Sequence, residues 1–496
     1  WYDTIFLKKM NFLSWKNSLI NIHADDFKND INSNSYRRLA YDEIFAHLLV
    51  MSRNRINIKK NKKKCKIFKR KIYNKIIMDL PFKLTLSQEK TIEEIEKDLS
   101  SNKKMFRVVQ GDVGSGKTIV SLLNIANVIE SKFQCALMAP TEILANQHYV
   151  LAKQIFNNTD VKVSLLIGKT DSVKKKQIIE DLKNNKINLI IGTHSLFQKN
   201  IKFNKLGLIV IDEQHKFGVA QRMKLAQKGG KECDVLLMSA TPIPRTMMLT
   251  VYGDMDISKI KEKPLKRKRI LTLSKPESKI PELWKFIKNQ IKIKNQVFWV
   301  CPLIEESKHL NYSSVIKRFD LIKNKFPGKV GLVHGSLKKD EKEKVLKRFL
   351  NKELDILVST TVIEVGIDFP NANLIIIENS NKYGLSQLHQ LRGRVGRGEK
   401  EAICILLFKE NLSKNAIKRI KILKSTDDGF LIADEDMKLR GYGDILGFQQ
   451  SGVKYFKIAD PIHHKQLFEI AESNIKQVNF DNNKFKRYEF LIKMFD

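Results

Sequence analysis

The sequence predicts two parallel-sheet α/β domains in tandem, with a helical segment before them and a helical tail after them. After Pro81, short apolar runs alternate with amphipathic stretches, which is typical of βα units around a parallel sheet. The runs form two groups on either side of the basic, proline-containing segment 261–269, KEKPLKRKR, which is expected to be a linker. The predicted divisions of the 496 residues are 1–76, 77–258, 259–410 and 411–496.

Each of the two domains has five predicted buried strands. In the first they are FRVVQ (106–110), CALMAP (135–140), INLIIGT (187–193), LGLIVID (206–212) and DVLLMSA (234–240). In the second they are VFWVCPL (297–303), KVGLVHG (329–335), DILVSTT (355–361), NLIIIEN (373–379) and AICILLF (402–408). Before the first domain, the spacing of Leu39, Ile44 and Leu48 favours an amphipathic helix. The tail is expected to be helical from about Ser413.

Composition and cysteine usage predict a soluble cytoplasmic protein without a membrane partner. Apolar residues make up 42% of the chain, and no stretch approaches the roughly 18 apolar residues of a membrane-spanning helix. The first residues lack the apolar core of a secretory signal. The 5 cysteines lie far apart without a CxxC pair, which argues against a zinc site and against a disulfide framework.

The charge balance favours a polyanionic partner such as nucleic acid. Lys and Arg total 90 against 54 Asp and Glu, a formal net charge of +36. Codon bias in an AT-rich genome is an alternative source of this excess, because the chain is also rich in Ile and Asn. Basic residues are densest between Lys59 and Lys75. That run is interpreted either as a solvated helix face or linker, or as a contact to phosphates.

The stretch GDVGSGKT (111–118) predicts a nucleotide-binding loop. It fits G-x-x-x-x-G-K-T, follows an apolar run and precedes a helical one, which is the context that this motif requires. The glycines permit backbone conformations that turn N–H groups toward phosphate oxygens, Lys117 adds a positive charge, and Thr118 offers a hydroxyl to Mg²⁺. The predicted ATP-binding residues here are Gly111, Asp112, Val113, Gly114, Ser115, Gly116, Lys117 and Thr118.

A pair of carboxylates follows the predicted strand LGLIVID. A carboxylate at the end of a buried strand is costly unless a positive group faces it, and a phosphate-bound Mg²⁺ supplies that charge. Asp212 is therefore predicted to hold Mg²⁺ through water, and Glu213 to orient and deprotonate the attacking water.

Two arginines in the second domain, Arg394 and Arg397, are predicted to reach the nucleotide. They lie three residues apart in QLHQLRGRVGRG (387–398), a spacing that presents both on one side of a helix. A guanidinium accelerates phosphoryl transfer because its positive charge offsets the negative charge that develops on the leaving phosphate. The sequence therefore predicts an ATP site in the cleft between the two domains, which hydrolysis opens and closes.

The ordered series GDVGSGKT, APTEILANQH, IGTHSLFQ, DEQH, SATPIPRT, STTVIEVGIDFP and QLHQLRGRVGRG resembles the motif set of superfamily 2 helicases and translocases. Within that superfamily it is most similar to the RecG family, bacterial ATP-dependent DNA helicases that remodel stalled forks and Holliday junctions. The likeness runs from about Pro81 to Val453. It implies two RecA-like domains, a helical connector before them, and a helical hairpin with a coupling tail after them.

The resemblance also implies roles for individual residues. Gln88 would read adenine, Gln214 and His215 would link the γ-phosphate to a DNA-contacting segment, and Gly366 with Asp368 would lie near the nucleotide. Residues implied to contact or couple to DNA are Thr141, Thr193, His194, Ser239, Thr241, Thr360, Arg440 and Gln450. Threonines at strand ends are also common helix caps, which is the alternative interpretation for several of them. Tyr442 departs from the family, where proline is expected between the two glycines of the tail.

The family's N-terminal wedge domain, with its oligonucleotide-binding barrel, is not recognisable here. The chain begins at Trp1, so we expect either that it is a fragment or that the gene has lost the wedge. The function expected from the resemblance is an ATP-driven double-stranded DNA translocase that remodels branched DNA, acting as a monomer, with ATP and Mg²⁺ as cofactors and a single-stranded DNA-binding protein as a further partner. The alternatives are a transcription-repair coupling translocase and a degenerate DNA-binding protein without motor activity.

Overall fold

A computed structural model describes most of the chain. The described residues are 1–24, 30–60, 62–198, 200–213, 230–240, 255–264, 268–302, 308–360, 369–396, 398, 400–440, 456–460, 463–478, 480 and 482–495. Seven of the predicted site residues lie outside them: Gln214, His215, Thr241, Gly366, Asp368, Arg397 and Gln450. Tyr442 also lies outside them.

The first domain is built on a seven-stranded parallel sheet with strand order β3-β4-β2-β5-β6-β1-β7. Its strands are β1 (Phe106–Gly111), β2 (Gln134–Met138), β3 (Val163–Leu166), β4 (Leu189–Gly192), β5 (Leu206–Ile211), β6 (Asp234–Ser239) and β7 (Asp256–Ile260). Its helices are α4 (Lys71–Asp79), α5 (Leu86–Ser100), α6 (Lys117–Glu130), α7 (Glu142–Ile155) and α8 (Ser172–Lys183). The predicted boundary at 258 falls inside β7, so the first domain extends at least to Ile260.

The second domain is built on a six-stranded parallel sheet with strand order β10-β11-β9-β12-β13-β8. Its strands are β8 (Leu271–Pro276), β9 (Gln296–Val300), β10 (Val330–Val333), β11 (Ile356–Ser359), β12 (Ala372–Ile377) and β13 (Ile403–Phe408). Its helices are α9 (Ile280–Lys292), α10 (Lys308–Lys325), α11 (Lys339–Leu350) and α12 (Leu385–Arg392). The predicted fold class, two tandem parallel-sheet domains, is confirmed.

Central strands are buried along their whole length and mostly apolar, because helices cover both faces of each sheet. Every residue of β2, β5 and β6 is buried. One apolar cluster on the first sheet includes Val120 and Leu123 of α6, and a second cluster includes Leu182 of α8. In a parallel sheet all carboxyl ends meet at one edge, which brings together the predicted site residues that follow β1, β2, β4 and β5 and Ser239 at the end of β6.

The two ends of the chain form one helical unit. The N-terminal helices are α1 (Thr4–Lys9), α2 (Trp15–Ile22) and α3 (Asn34–Lys60), and the tail contains α13 (Lys414–Ser425), α14 (Gly429–Arg440), α15 (Lys465–Ile475) and α16 (Asn482–Phe495). Tyr41 and Phe45 of α3 share an apolar cluster with Phe468 of α15 and Leu491 of α16. We call helices α1–α3 with α15 and α16 the terminal helical module. The sequence analysis placed these helices in two separate divisions of the chain, 1–76 and 411–496, without predicting that they pack together.

Part of the basic run is structural. The side chains of Lys63 and Lys66 are fully buried, and each Nζ lies against Oδ2 of Asp234, at 2.6 and 2.5 Å. Oδ1 of Asp234 accepts a hydrogen bond from the backbone N–H of Met105 at 2.6 Å. Asp234 begins β6, so these lysines lie at the sheet edge opposite the nucleotide-binding loop. For these two residues, neither predicted interpretation of the run is correct.

Candidate nucleotide site between the two domains

The loop that joins β1 to α6 has the geometry of a phosphate-binding loop. Gly114 and Gly116 have φ values of 76° and 87°, in the left-handed region that favours glycine. Lys117 begins α6, and its Nζ donates to the carbonyl oxygens of Gly111 at 2.7 Å and Asp112 at 2.9 Å. The lysine therefore folds back over the loop, where its charge can meet a phosphate bound at the helix N-terminus.

Gln88 supports this loop directly. Its Nε2 donates to the carbonyl of Ser115 at 2.8 Å, and its Oε1 accepts from the backbone N–H of Thr85 at 2.9 Å. A Cβ added to Gly116 would come within 2.2 Å of the same Nε2 and displace it, and the φ of 87° itself favours glycine here. Gln88 is 1% exposed. The Gln88 side chain thus stabilises the loop through its hydrogen bond to Ser115. Adenine recognition by Gln88 stays a prediction.

The two carboxylates at the end of β5 have different environments. Asp212 Oδ2 lies 2.9 Å from Nε2 of His148, and Asp212 Oδ1 accepts from the backbone N–H of Glu213 at 2.9 Å. Burial would raise the pKa of Asp212, but the hydrogen bond and charge of His148 and the charge of Lys117 outweigh it and hold that pKa below its ordinary value. Asp212 is therefore suited to stay ionised beside a cation.

Glu213 is shifted in the opposite direction. Its burial, followed by the negative charge of Asp212, raises the pKa of the Glu213 carboxyl above its ordinary value. Its φ of 49° places a non-glycine residue in the left-handed region, a backbone strain that is common at functional sites. A raised pKa beside an ionised carboxylate suits a residue that takes a proton.

His148 is a site residue that the sequence analysis missed. It lies on α7, two turns after Thr141, and is 5% exposed. The motif APTEILANQH, which contains it, was noted for its order in the series and not for a histidine that would meet Asp212. The two residues are 64 positions apart, so no local pattern joins them.

Asp112 of the loop faces the second domain. Its Oδ1 lies 2.8 Å from Nε2 of His389 on α12, and its Oδ2 lies 3.0 Å from Nζ of Lys263. The other ring nitrogen of His389 lies 2.9 Å from the Arg392 guanidinium, which pairs with Asp427 at 3.0 Å. The side chain of Asp112 therefore connects the loop to the second domain and the tail, while its backbone carbonyl holds Lys117.

The arginine motif packs on the same loop. A Cβ added to Gly393 would lie 3.2 Å from Cβ of Val113, which is close contact across the domain boundary. Arg394 is 2% exposed, and its positive charge acts on Glu213 to lower its pKa, against the larger effect of burial. Helix α12 ends at Arg392, so Arg394 lies in the turn after the helix and not, as the sequence analysis expected, on the helix itself. The spacing of Arg394 and Arg397 stays a prediction, because Arg397 lies outside the described residues.

Five predicted DNA-contacting residues lie at the carboxyl edges of the two sheets. Thr141 caps α7, with its hydroxyl accepting from the N–H of Leu144 at 3.3 Å, as the alternative interpretation expected. Thr193 and Ser239 are buried, and His194 is exposed. Thr360 follows β11 and is 1% exposed. Arg440 is the last residue of α14. DNA contact by these residues stays a prediction.

A second contact joins the domains away from the loop. Lys169, after β3, lies 2.8 Å from Asp340 and 2.6 Å from Glu343, both on α11. A cavity of about 370 Å³ lies between the domains beside the contact of Asp112 with His389. Its lining includes Asp112, Lys263, Arg269, His389 and Thr426.

A search of the helices in the described part of the chain found none with the length and hydropathy of a membrane span.

Three known families match successive parts of the chain. Residues 85–249 match the DEAD/DEAH box helicase family, and residues 278–399 match the helicase conserved C-terminal domain. Residues 426–494 match domain 3, C-terminal, of the ATP-dependent DNA helicase RecG. These ranges cover the loop, the carboxylate pair, the arginine motif and the tail.

The curated relatives that the chain resembles include RecG helicases. The chain is 44% identical to the ATP-dependent DNA helicase RecG of Thermotoga maritima over 446 residues, 90% of this chain and 57% of that protein. It is 41% identical to RecG of Bacillus subtilis over 462 residues, 92% of this chain and 67% of that protein. The chain thus spans between about half and two thirds of the length of the relatives it matches.

The solved structures that the chain resembles also include a RecG structure. A structure of RecG bound to a three-way DNA junction has a TM-score of 0.78 and 39% identity, and the match covers 94% of this chain and 61% of that chain. A structure of Mss116p bound to single-stranded RNA and AMP-PNP has a TM-score of 0.54 at 22% identity, covering 72% of this chain and 75% of that one, a likeness of fold alone. By its sequence and its structure, the chain belongs to the RecG family of ATP-dependent DNA helicases.

Proposed function

We propose that this chain is an ATP-driven double-stranded DNA translocase that remodels branched DNA in recombination and repair. The observation that carries the proposal is the contact between the nucleotide-binding loop and the arginine-bearing helix of the second domain, with 2.8 Å between Oδ1 of Asp112 and Nε2 of His389. An arginine of one domain can act on a nucleotide bound by the other domain only where the two domains meet at the phosphate-binding loop. Opening and closing of that cleft is then linked to hydrolysis.

The residues of the loop fit a bound ATP. The positive φ values of Gly114 and Gly116 let the loop turn backbone N–H groups toward phosphates near the N-terminus of α6. Lys117, which is 8% exposed, supplies a positive charge. Thr118 and Asp212 fit a magnesium ion, since a hydroxyl after the lysine and an ionised strand-end carboxylate are oxygen donors of the kind that Mg²⁺ prefers. When bound, Mg²⁺ neutralises charge between the phosphates.

In this proposal Glu213 accepts a proton from the attacking water, and Arg394 stabilises negative charge that develops on the transferred phosphoryl group. Arg397 is proposed for the same role. Gln214, His215, Gly366 and Asp368 are proposed to complete the site and to connect it to the DNA-contacting segments.

Branched double-stranded DNA is the proposed substrate. The matched RecG structure holds a three-way DNA junction, and the match extends over 94% of this chain. Residues 426–494 match the C-terminal domain 3 of RecG, which favours this function over that of a transcription-repair coupling translocase. We further propose that the chain acts as a monomer in the cytoplasm and has a single-stranded DNA-binding protein as a partner.

The deciding experiment measures ATP hydrolysis by the purified chain alone, with linear duplex and with a three-way junction. We expect stimulation by duplex DNA and stronger stimulation by the junction. Displacement of the third strand from a triple helix measures movement along duplex in the same samples. If no DNA stimulates hydrolysis, the chain is a DNA-binding protein without motor activity, and binding to RNA polymerase would favour the transcription-repair coupling alternative.

A further inference from the structure

The amino edge of the first sheet, opposite the nucleotide-binding loop, carries a row of lysines. Because the strands of a parallel sheet point the same way, the residues that precede them meet at one edge. The three positions before each of the strands β1 to β6 include one exposed lysine, and in strand order these are Lys103, Lys132, Lys162, Lys186, Lys205 and Lys231. Neighbouring strands lie about 4.8 Å apart, so the row extends about 24 Å from β3 to β1.

Two lysines of the chain after α3 extend this row. Lys62 and Lys64, on either side of the buried Lys63, are exposed. The backbone of Lys62 pairs with that of Lys103 in an isolated antiparallel bridge, and the N–H of Lys64 donates to the Glu232 carboxylate at 2.8 Å. We call Lys62, Lys64 and the six lysines of the row the basic edge.

Carboxylates do not neutralise the basic edge. The three positions before each of β1 to β6 contain two acidic residues, Asp160 and Glu232. Lys186 lies 3.8 Å from Asp181, on α8. The other lysines of the basic edge form no ion pair with any residue in the described part of the chain. Their charges are therefore available to an external anion.

The amino edge of the second sheet is partly neutralised instead. Three acidic residues, Glu353, Asp355 and Glu401, occupy the corresponding positions before its strands. Lys329 pairs with Asp355 at 3.1 Å and Lys268 with Glu401 at 3.6 Å. Codon bias acts on the whole chain, so it does not account for a difference between the two sheets.

Helix dipoles account for only part of the row. A cation is stabilised by the negative end of a helix within about the last turn. Lys103, Lys132 and Lys186 follow the ends of α5, α6 and α8 by two or three residues, and this effect explains them. Lys162 and Lys205 come seven and eight residues after the preceding helical segments end, so the dipoles do not explain these two positions.

We propose that the basic edge is a second DNA-binding surface, which holds the phosphate backbone of a DNA duplex. A duplex carries one negative charge per about 1.7 Å of its axis, so about 14 of them lie within the roughly 24 Å of the row. A row of charges matches a linear polymer, which favours nucleic acid over a lipid surface. The choice of DNA as the polyanion rests on the proposed function.

This surface is separate from the DNA contacts predicted at the carboxyl edges. Strands of six residues, such as β1 and β5, put about 20 Å between the two edges of the sheet. A straight duplex that follows one edge therefore does not reach the other, whereas the arms of a branched DNA can occupy both. Phosphate contacts fix the position of a duplex without reading its sequence. The basic edge thus adds affinity for branched DNA of any sequence.

The test removes four lysines of the basic edge and compares the result with an equal change of charge elsewhere. The edge variant combines Lys132→Gln, Lys162→Gln, Lys205→Gln and Lys231→Gln. The matched control combines substitutions of exposed lysines in the second domain, Lys285→Gln, Lys288→Gln, Lys294→Gln and Lys352→Gln. Binding of a three-way DNA junction, without nucleotide, is measured between about 50 and 200 mM salt.

The salt dependence of binding reports the number of phosphate contacts. Each contact contributes about 0.9 to the slope of log affinity against log salt concentration. We expect the slope to be shallower by about 3.6 in the edge variant and unchanged in the control. Equal slopes in the edge variant and the unaltered chain, or an equal change in both variants, would overturn the proposal.

Acetylation of lysines in the unaltered chain tests the same surface without a substitution. Bound junction should slow the acetylation of Lys132, Lys162 and Lys205 several-fold and leave Lys294 and Lys352 at the rate of the free chain. Mass spectrometry of the peptides measures these rates. Equal rates with and without DNA at the first three lysines would show that DNA does not cover the basic edge.

Failure of the proposed function gives a different result. With saturating linear duplex, we expect the edge variant to hydrolyse ATP within about twofold of the unaltered chain, because the nucleotide site lies at the opposite edge. If no DNA stimulates the unaltered chain, the translocase function is wrong, and the salt slope and the acetylation rates still test the basic edge. Weaker binding of the edge variant to phosphatidylserine vesicles, with unchanged binding to the junction, would identify a lipid surface as the partner and overturn the proposal.

Discussion

The carboxylate of Asp112, in the first domain, and the imidazole of His389, in the second, are hydrogen bonded across the interdomain cleft with 2.8 Å between Oδ1 and Nε2. Burial would raise the pKa of Asp112, but the hydrogen bond and charge of His389, with Lys263, outweigh it and hold that pKa well below its ordinary value. The carboxylate is thus ionised at neutral pH and joins the loop to the arginine-bearing helix.

Loss of the His389 imidazole should disturb hydrolysis without removing any group that touches phosphate. In His389→Ala, α12 loses its contact to the loop, and misplacement of Arg394 lowers kcat on the order of 10- to 100-fold. The KM for ATP should change far less. The control is His463→Ala, whose ring is exposed on the tail. Steady-state ATPase assays decide, and an unchanged kcat would show that the contact is dispensable.

Glu213→Gln should nearly abolish hydrolysis while ATP still binds. A general base contributes about 10²- to 10⁴-fold to rate, and the amide cannot take the proton. Because the pKa of Glu213 is raised, the hydrolysis rate of the unaltered chain should begin to fall, as the pH is lowered, at a pH above the pKa of an ordinary glutamate.

Lys117→Ala should abolish turnover as well, and it should also weaken nucleotide binding. Titration with fluorescent ATP would separate this effect from that of Glu213→Gln.

Arg394→Ala should lower kcat by about 10³-fold, the smaller of the effects known for such arginines, with ATP binding largely retained. The same result is expected for Arg397→Ala. Arg348→Ala is the matched control, because that arginine lies exposed on α11 of the same domain. Single-turnover hydrolysis measures the chemical step directly. A wild-type rate in Arg394→Ala would contradict the proposed site.

We expect the lysines of the basic run to fall into two groups, buried ones that stabilise the fold and exposed ones that contribute little to its stability. Lys66→Ala removes one of two buried partners of Asp234 and should lower the free energy of unfolding by about 3 to 5 kcal/mol, the range for breaking a buried ion pair. Lys69→Ala, at an exposed position in the same run, should change it by less than about 0.5 kcal/mol. Urea denaturation compares the two, and equal stabilities would contradict the structural role.

The terminal helical module should be more stable in mild acid than at neutral pH. Burial of Asp42, 3.0 Å from Arg38, raises the pKa of its carboxyl to about 6, above its ordinary 3.8. A raised acid pKa means that the native state binds the proton more tightly, so this contribution is present below about pH 4 and is lost as pH rises to about 6. The loss amounts to at most about 3 kcal/mol.

The measurement for Asp42 is the pH dependence of urea midpoints between about pH 4 and 7. In Asp42→Asn the urea midpoint should depend less on pH, because the contribution of Asp42 is removed. In Asp3→Asn, at an exposed position, the pH dependence should stay as in the unaltered chain. Identical slopes in all three proteins would contradict the raised pKa.

Features with a local pattern were predictable from the sequence. The loop 111–118 and the carboxylates Asp212 and Glu213 follow apolar strands directly, so a short window contains both the strand and the chemistry. Strands β3, β7 and β8 were missed, and all three are edge strands. Edge strands are covered on fewer sides, so three of the four lack the continuous apolar run that identifies a central strand. The fourth, β10, was predicted from KVGLVHG.

Relationships between distant residues could not be predicted in the same way. Asp112 and His389 are 277 positions apart, and each alone is an ordinary polar residue beside a motif. The pairing of Lys63 and Lys66 with Asp234 was missed for the same reason, since a dense basic run gives no sign of which lysines turn inward. Only the three-dimensional arrangement of the sheets decides these contacts.

The union of both chain ends in one module also constrains biosynthesis. Glu43 of α3 accepts a hydrogen bond from the backbone N–H of Lys457, 414 positions away, so a ribosome must complete both sheets before α3 can meet its partners. During that time the apolar side of α3, with Tyr41 and Phe45, stays uncovered and open to aggregation or to chaperones. The motor domains can be folded by then, so closure of the module comes after the folding of both sheets.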